Sequence, residues 1–254
     1  MKKSIAIISF SEIKNDSRVK RQIQLIGKYF NVITVGYGDF EKSLYHLKLK
    51  NKKFILKKFL FIILILLRKF NSYFEIRFEY RKIINFLQNH EISGFILNDS
   101  NSWPLIKDLD ENKCIIDAHE YSLEELSDQI YWRILLKPIK EWSSQYLYKA
   151  FQRFSVEENI CKKWKETTNL DFLLLRNFSN FSDIKPKKRT KKIIKIIHHG
   201  IAEPSRKIEN MILAIGKCGS NYKGTFYLQS NNKKYLNYLK KISIRNNVEI
   251  KKPI

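Results

Sequence analysis

The first forty residues constrain the fold more than any other feature. Ser4 to Phe10 (SIAIISF) is a short, nearly unbroken apolar run, followed by a polar loop over Ser11 to Ser17. From Arg18 the apolar positions Val19, Ile23, Leu25, Ile26 and Tyr29 recur at helical spacing, with Gly27 near the helix end. Val32 to Val35 is a second apolar run, ending at Gly36-Tyr37-Gly38. A strand apolar on both faces, joined to the next through a helix, is the βαβ unit of a parallel sheet. Such a sheet must be covered on both sides.

The alternation continues. Phe74 to Asn89 reads as an amphipathic helix, Gly94 to Leu97 as a strand ending in Asn98-Asp99, Pro104 to Leu109 as a helix, and Lys113 to Ile116 as a strand ending in Asp117-Ala118-His119-Glu120. Leu123 to Phe151 reads as a long helical region interrupted at Pro138. Phe154 to Val156 is a short strand, Glu157 to Thr167 a helix, and Phe172 to Leu175 a strand. Ser182 to Lys192 (SDIKPKKRTKK) has no large apolar residue after Ile184 and reads as a linker. The pattern then restarts, with strands Ile193 to Ile197, Thr225 to Gln229 and Val248 to Ile250, a loop His198 to Ser205, and helices Ile208 to Cys218 and Lys233 to Ile244. The expectation is an α/β protein with a Rossmann-like parallel-sheet domain over 1–181, a linker over 182–192 and a partial second Rossmann-like domain over 193–254.

At 254 residues with 44% hydrophobic and 13% aromatic residues, the chain can bury a core, which excludes a disordered protein and a disulfide miniature. Cys114, Cys161 and Cys218 are odd in number and not at metal-ligand spacing, so a reducing, cytoplasmic setting is expected. The apolar start is too short for a signal peptide and is followed at once by Glu12, Lys14 and Asp16.

Lysine and arginine exceed aspartate and glutamate by 48 to 25, a net charge of +23. This charge implies an anionic partner, part of it being attributable to Lys- and Asn-rich composition. No specific nucleic-acid partner is expected, since no zinc, helix-turn-helix or basic-aromatic signature is legible. The run Phe59 to Leu67, preceded by Lys50, Lys52, Lys53, Lys57 and Lys58 and followed by Arg68 and Lys69, is too short to span a bilayer, which takes about 20 residues. It suits either a core helix with solvated ends or a helix lying in an anionic membrane surface, peripheral at the inner face of the cell membrane.

In open parallel sheets, ligands bind outside the carboxyl ends of the strands. The polar residues there are Asn15, Asp16 and Arg18; Asn98 and Asp99; Asp117, His119 and Glu120; Arg176 and Asn177; and His198 to Arg206. His198 and His199 are poor partners for one zinc ion, because strand neighbours point to opposite faces. Gly36-Tyr37-Gly38 lacks a third glycine and follows the second strand, so a nicotinamide site is not expected.

These same residues carry a resemblance. Asn15-Asp16-Ser17-Arg18-Val19, Asn98-Asp99, Asp117-Ala118-His119-Glu120, Arg176-Asn177-Phe178, and His199-Gly200 followed by Arg206 are similar, in order along essentially the whole chain, to the motifs of family 4 glycosyltransferases of the GT-B fold. The resemblance implies a retaining transferase that takes a hexose from a nucleotide diphosphate sugar to a glycan or lipid-linked acceptor in cell-surface polysaccharide synthesis. It further implies an N-terminal acceptor domain, a C-terminal donor domain, no metal and no other cofactor. His119 resembles the histidine near the transferring sugar, where an imidazole hydrogen-bonds hydroxyls or orients the acceptor; packing is its structural alternative. Asn15, Asp16, Arg18, Asn98, Asp99, Asp117 and Glu120 would contact substrate, with helix capping the alternative for Asp117 and Glu120. Gly200, Arg206 and Lys207 would hold the donor diphosphate, Arg206 through its planar fork at the start of the helix from Ile208. The family's Glu-x7-Glu element should lie beyond the third strand of the second domain, which ends here at Ile254, so this chain alone is expected to be inactive. The competing expectation is a non-catalytic basic α/β protein that binds an anionic membrane or nucleic acid.

Overall fold

The computed structural model describes residues 2–50, 58–125, 129–178, 181–185, 192–230 and 232–253. The chain divides into two compact units, Met1–Asn180 and Phe181–Ile254. Most of the expected linker, 186–191, lies outside the described residues.

In the first unit, β1 (Ser4–Glu12), α1 (Ser17–Ile26), β2 (Asn31–Tyr37) and β3 (Tyr45–Leu49) are followed by three short helices, α2 (Lys58–Leu66), α3 (Phe70–Phe78) and α4 (Tyr80–Gln88). Next come β4 (Gly94–Leu97), a 3-10 turn over Trp103–Asp108, β5 (Cys114–Asp117), a π-helical turn over Trp132–Leu136 running into α5 (Lys137–Ser144), β6 (Gln152–Ser155), α6 (Glu158–Thr168) and β7 (Leu173–Leu174). The strands form one seven-stranded sheet in the order β3-β2-β1-β4-β5-β6-β7, with every pairing parallel.

β1 shows why its sequence reads as a continuous apolar run. Ala6 and Ile8 join a core with α4, the 3-10 turn and Trp164 of α6, whereas Ile7 joins Val19 and Ile23 of α1 on the opposite face. The chain leaves β1 toward β2 on one side and continues from β4 toward β5 on the other. The reversal of strand order between β1 and β4 is the switch point where such sheets open a crevice.

The helix expected over Phe74 to Asn89 is two helices, broken at Glu79, which adopts left-handed φ/ψ of 55° and 44°. The two halves serve different cores. Phe74 and Phe78 pack with α2 and α5, while Tyr80, Ile83, Ile84 and Leu87 pack under the sheet. One straight helix cannot turn its apolar stripe from one cluster to the other, so the break is imposed by packing. Leu123 to Phe151 likewise departs from expectation: among the described residues the chain is non-helical at Leu123–Glu125, helical from Ile130 to Ser144, and then makes a separate 3-10 turn over Leu147–Lys149. Pro138 sits in the first turn of α5 directly after the π-helical turn, where the wider ring accommodates the missing amide.

The second unit contains β8 (Ile194–Ile201), a 3-10 turn over Pro204–Arg206, α7 (Ile208–Lys217), β9 (Tyr222–Gln229), α8 (Lys233–Ile244) and β10 (Val248–Lys251). Its strands pair in parallel in the order β10-β9-β8. Ile208, Ile212 and Ile215 of α7 and Leu239 of α8 close over Phe226, Leu228 and Val248. β8 extends four residues beyond the strand expected from sequence, which places His198, His199 and Gly200 in the strand rather than in a loop.

Candidate functional site

At the carboxyl ends of β1, β4 and β5 lies a pocket of about 180 Å³, lined by Ser9, Phe10, Ser11, Asp16, Asn98, Asp99, Ser100, Asn101, Trp103, Ala118, His119, Glu120, Ser122, Glu125 and Lys140. Five residues expected from sequence meet in it: Asp16, Asn98, Asp99, His119 and Glu120. Asn15, Arg18 and Asp117 do not line it.

The reason each sits where it does is local. Asp16 is the N-cap of α1: its carboxylate accepts from the amides of Arg18 and Val19, both at 3.1 Å, and from the Ser11 hydroxyl at 2.7 Å. Asp99 bridges two strands, accepting from the Phe10 amide at 2.8 Å and from the Asn101 amide at 3.1 Å. Burial raises the Asp99 carboxyl above the usual range, opposed by the Phe10 amide and the Lys140 charge. Asn98 is buried, with its amide reaching the Ile8 carbonyl at 3.4 Å and its Oδ1 without a partner among the described residues.

Asn15 instead donates to Glu12 at 2.8 Å on the exposed loop. Arg18 turns to Asp117, with Nε 2.9 Å from Oδ2 and a second contact from Nη2 to Oδ1; Gln22 adds a donor at 2.5 Å. The Asp117 side chain is 3% exposed and that of Arg18 13%, so the pair ties α1 to the end of β5 below the pocket. Arg176 pairs with Glu158 at 2.5 Å, and Asn177 accepts from Arg21.

Several groups in the pocket were not singled out by sequence. Lys140 of α5 donates to the Ser100 hydroxyl at 2.7 Å and stands 3.7 Å from Glu125. Burial, together with a hydrogen bond and like charge from Glu120, pushes the Glu125 carboxyl up to about 7 against the pull of Lys140. Four side-chain atoms on the lining are buried without a hydrogen-bond partner among the described residues: Asn98 Oδ1, Trp103 Nε1, His119 Nδ1 and Ser122 Oγ. Buried polar atoms are rarely left unpaired, and clustering in one concavity marks a place built to receive polar groups from outside. Sequence reasoning missed Glu125 because its stretch was read as helix, and Lys140 because nothing in its neighbourhood distinguishes it from a surface lysine.

In the second unit, Gly200, Arg206 and His198 come together at the carboxyl end of β8. A Cβ on Gly200 would lie in ordinary van der Waals contact with Arg206 Nη1, at 3.7 Å, and His198 Nε2, at 3.8 Å, which places guanidinium, imidazole and the Gly200 backbone at one corner. Among the described residues His198 Nε2 is buried without a hydrogen-bond partner, and burial, then the charges of His199 and Arg206, lower the pKa of the ring. Arg206 ends the 3-10 turn rather than opening α7, and Lys207, with φ +48°, is the N-cap. The first amide of α7, at Ile208, donates to the Tyr235 hydroxyl at 3.1 Å, so the cations and Gly200, more than the helix end, offer an anion its contacts. Arg206 and Lys207 are both exposed.

The sequence matches no protein-family model and no curated protein sequence. Solved structures resemble it throughout. A glycosyltransferase from Rickettsia africae is 11% identical with a TM-score of 0.60, the likeness covering 100% of this chain and 69% of that one. UDP-N-acetylglucosamine 2-epimerase from Rickettsia bellii is 12% identical with a TM-score of 0.54, over 99% and 68% of the two chains. Arabidopsis thaliana UGT89C1, solved with UDP-L-rhamnose, is 10% identical with a TM-score of 0.55, over 100% and 70%. At such identities the likeness is one of architecture: this chain has the Rossmann-like GT-B fold common to glycosyltransferases and UDP-N-acetylglucosamine 2-epimerase.

Proposed function

We propose that the protein is a glycosyltransferase that moves a hexose from a nucleotide diphosphate sugar to a hydroxyl of a glycan or lipid-linked acceptor in cell-surface polysaccharide synthesis, retaining the anomeric configuration without a metal ion. The pocket of the first unit carries this reading. Five residues marked by the family 4 resemblance converge there with four polar atoms that have no partner among the described residues. The fold likeness to glycosyltransferases supports the same class of substrate.

In this reading Asn98, Asp99, His119 and Glu120 receive sugar and acceptor hydroxyls, His119 offering a hydrogen bond near the reacting carbon. Asp16 and the Arg18–Asp117 pair hold the loop after β1 and α1 in place, and Asn15 braces the loop through Glu12. Gly200, Arg206 and Lys207 take the diphosphate. The bond from the anomeric carbon to the phosphate oxygen breaks, the acceptor oxygen bonds that carbon on the same face, and the acceptor proton passes to the departing phosphate. Arg206 offsets the charge that builds there.

Titration calorimetry with UDP, against the chain and Arg206→Ala, tests the donor half. A loss of about tenfold in affinity, or about 1.4 kcal/mol, is expected, and equal affinity overturns it. Incubation of a UDP-hexose with a membrane glycolipid extract tests the reaction. Labelled glycolipid is the expected product when the chain is extended by a donor-domain segment that carries a Glu-x7-Glu element, and little or none is expected from residues 1–254 alone. A sugar nucleotide epimerised without acceptor points instead to the chemistry named for the Rickettsia bellii relative in fold.

A further inference from the structure

α2 (KFLFIILIL) is apolar all round, and the first unit uses only part of it. Leu64 and Ile65 are buried against α3 and α5, with Phe61 packed beside them. The opposite stripe is left in solvent: Phe59 is 77% exposed, Ile62 36%, Ile63 41%, Leu66 60% and Leu67 61%. These positions are spaced i, i+3, i+4, i+7 and i+8, the spacing of a second helical face. The π-helical turn on which α2 packs adds Ile134, and the residues just before it add Ile130 and Tyr131, each more than half exposed. Single exposed apolar residues are ordinary; a full stripe of them on one helix is not.

Charge narrows the choice of what covers this face. Lys58 opens α2, Arg68 and Lys69 close it, and Arg133 lies on the π-helical turn. Among the described residues none of the four has a carboxylate partner, and α2 itself holds no acid. A protein partner would have to match an apolar stripe and a cationic rim at once. A bilayer with anionic headgroups supplies both, with acyl chains for the stripe and phosphates for the rim. No helix among the described residues is long and apolar enough to cross a membrane, so the contact would be in the plane of the interface.

We infer that the outer face of α2, with the adjoining π-helical turn, is a docking surface for an anionic lipid bilayer. A groove of about 740 Å³ that shares Phe10, Glu125 and Lys140 with the candidate pocket is walled by Tyr73 and Phe78 of α3 and by Trp132 of the π-helical turn. The same small helical module therefore carries the lipid-facing stripe on one side and walls a groove that adjoins the pocket on another. The docking claim does not rest on the proposed transfer reaction, and its test contains no sugar nucleotide.

Vesicle flotation of the full chain is the test, with phosphatidylcholine vesicles against vesicles holding about one third phosphatidylglycerol. The protein is expected to float with the anionic vesicles, to bind them at least tenfold less after Ile63→Glu/Leu66→Glu or after Arg68→Glu/Lys69→Glu, and to be released by 0.5 M salt. Ile244→Glu, an exposed apolar position of the second unit, is the control and is expected to float unchanged. Circular dichroism melts of each variant show that folding is kept. No flotation, equal flotation with phosphatidylcholine alone, or unaltered binding by Ile63→Glu/Leu66→Glu overturns the inference. So does a dimer in sedimentation velocity that the same pair of substitutions dissolves, since a second copy would then be the occupant.

Discussion

Arg18 and Asp117 are separated by 99 positions in the sequence and find each other across the end of the sheet. Both occur in the motifs that resemble family 4, yet each one's charge is met by the other, which makes them positioning residues for α1. Asp117→Asn leaves a largely buried guanidinium without its counter-charge and is expected to cost about 3 kcal/mol in urea denaturation. The double replacement Arg18→Met/Asp117→Leu should recover most of that loss; a single variant as stable as the parent would mean the pair holds nothing. Glu125 makes the opposite kind of prediction. Its carboxyl is held up to about 7 in the fold, above the usual glutamate range, so between roughly pH 4.5 and 7 the folded chain binds a proton that the unfolded chain has released. Stability contributed by this group is therefore complete below pH 4.5 and lost as pH rises to 7. With over a third of the side chain exposed, about 1 kcal/mol is a fair size for the effect. Glu125→Gln should melt a few degrees higher than the parent at pH 8 and no higher at pH 4.5.

Lys207 sets two demands on one residue at the entrance to α7. Its left-handed backbone is costly for any side chain but glycine, and no side-chain cap offsets it. Lys207→Gly is expected to stabilise the protein by about 1 kcal/mol in a denaturant melt and, if the lysine holds phosphate, to weaken UDP binding in the same preparation. A gain in stability with no change in binding would remove Lys207 from the donor site. Other elements show what local sequence does and does not carry. The strand Gly94–Leu97 and the helix Lys233–Ile244 are read to the residue, because their apolar periods end at clear polar boundaries. β3 (YHLKL) is not, although Tyr45, Leu47 and Leu49 alternate with His46 and Lys48 at strand period, because so short a run has no apolar block to mark it and its place in the sheet comes from pairing with β2. The break at Glu79 has no glycine or proline to announce it; only the two separate cores require it. The site follows the same division. Asp16, Asn98, Asp99, His119 and Glu120 are legible because they sit at strand ends. Lys140 and Glu125 come from residues beyond β5 that fold back over the pocket, and no local pattern encodes that return.

For the whole molecule, the excess of 48 basic over 25 acidic residues is a stored repulsion. Most of the ion pairs are at exposed positions, where each contributes little. Screening should relieve more repulsion than it costs in attraction, so the melting temperature is expected to rise by about 2 to 4 °C between 0.05 and 0.5 M NaCl. A fall would show that the exposed pairs outweigh the net charge. The reversal of strand order between β1 and β4 has a longer consequence. The crevice there is produced by chains departing in opposite directions, whatever side chains they carry, and nearly nine residues in ten differ between this protein and the Rickettsia africae structure while the architecture is shared. Evolutionary drift can then rewrite the lining, and with it the chemistry, while the address where chemistry happens stays fixed by the path of the backbone.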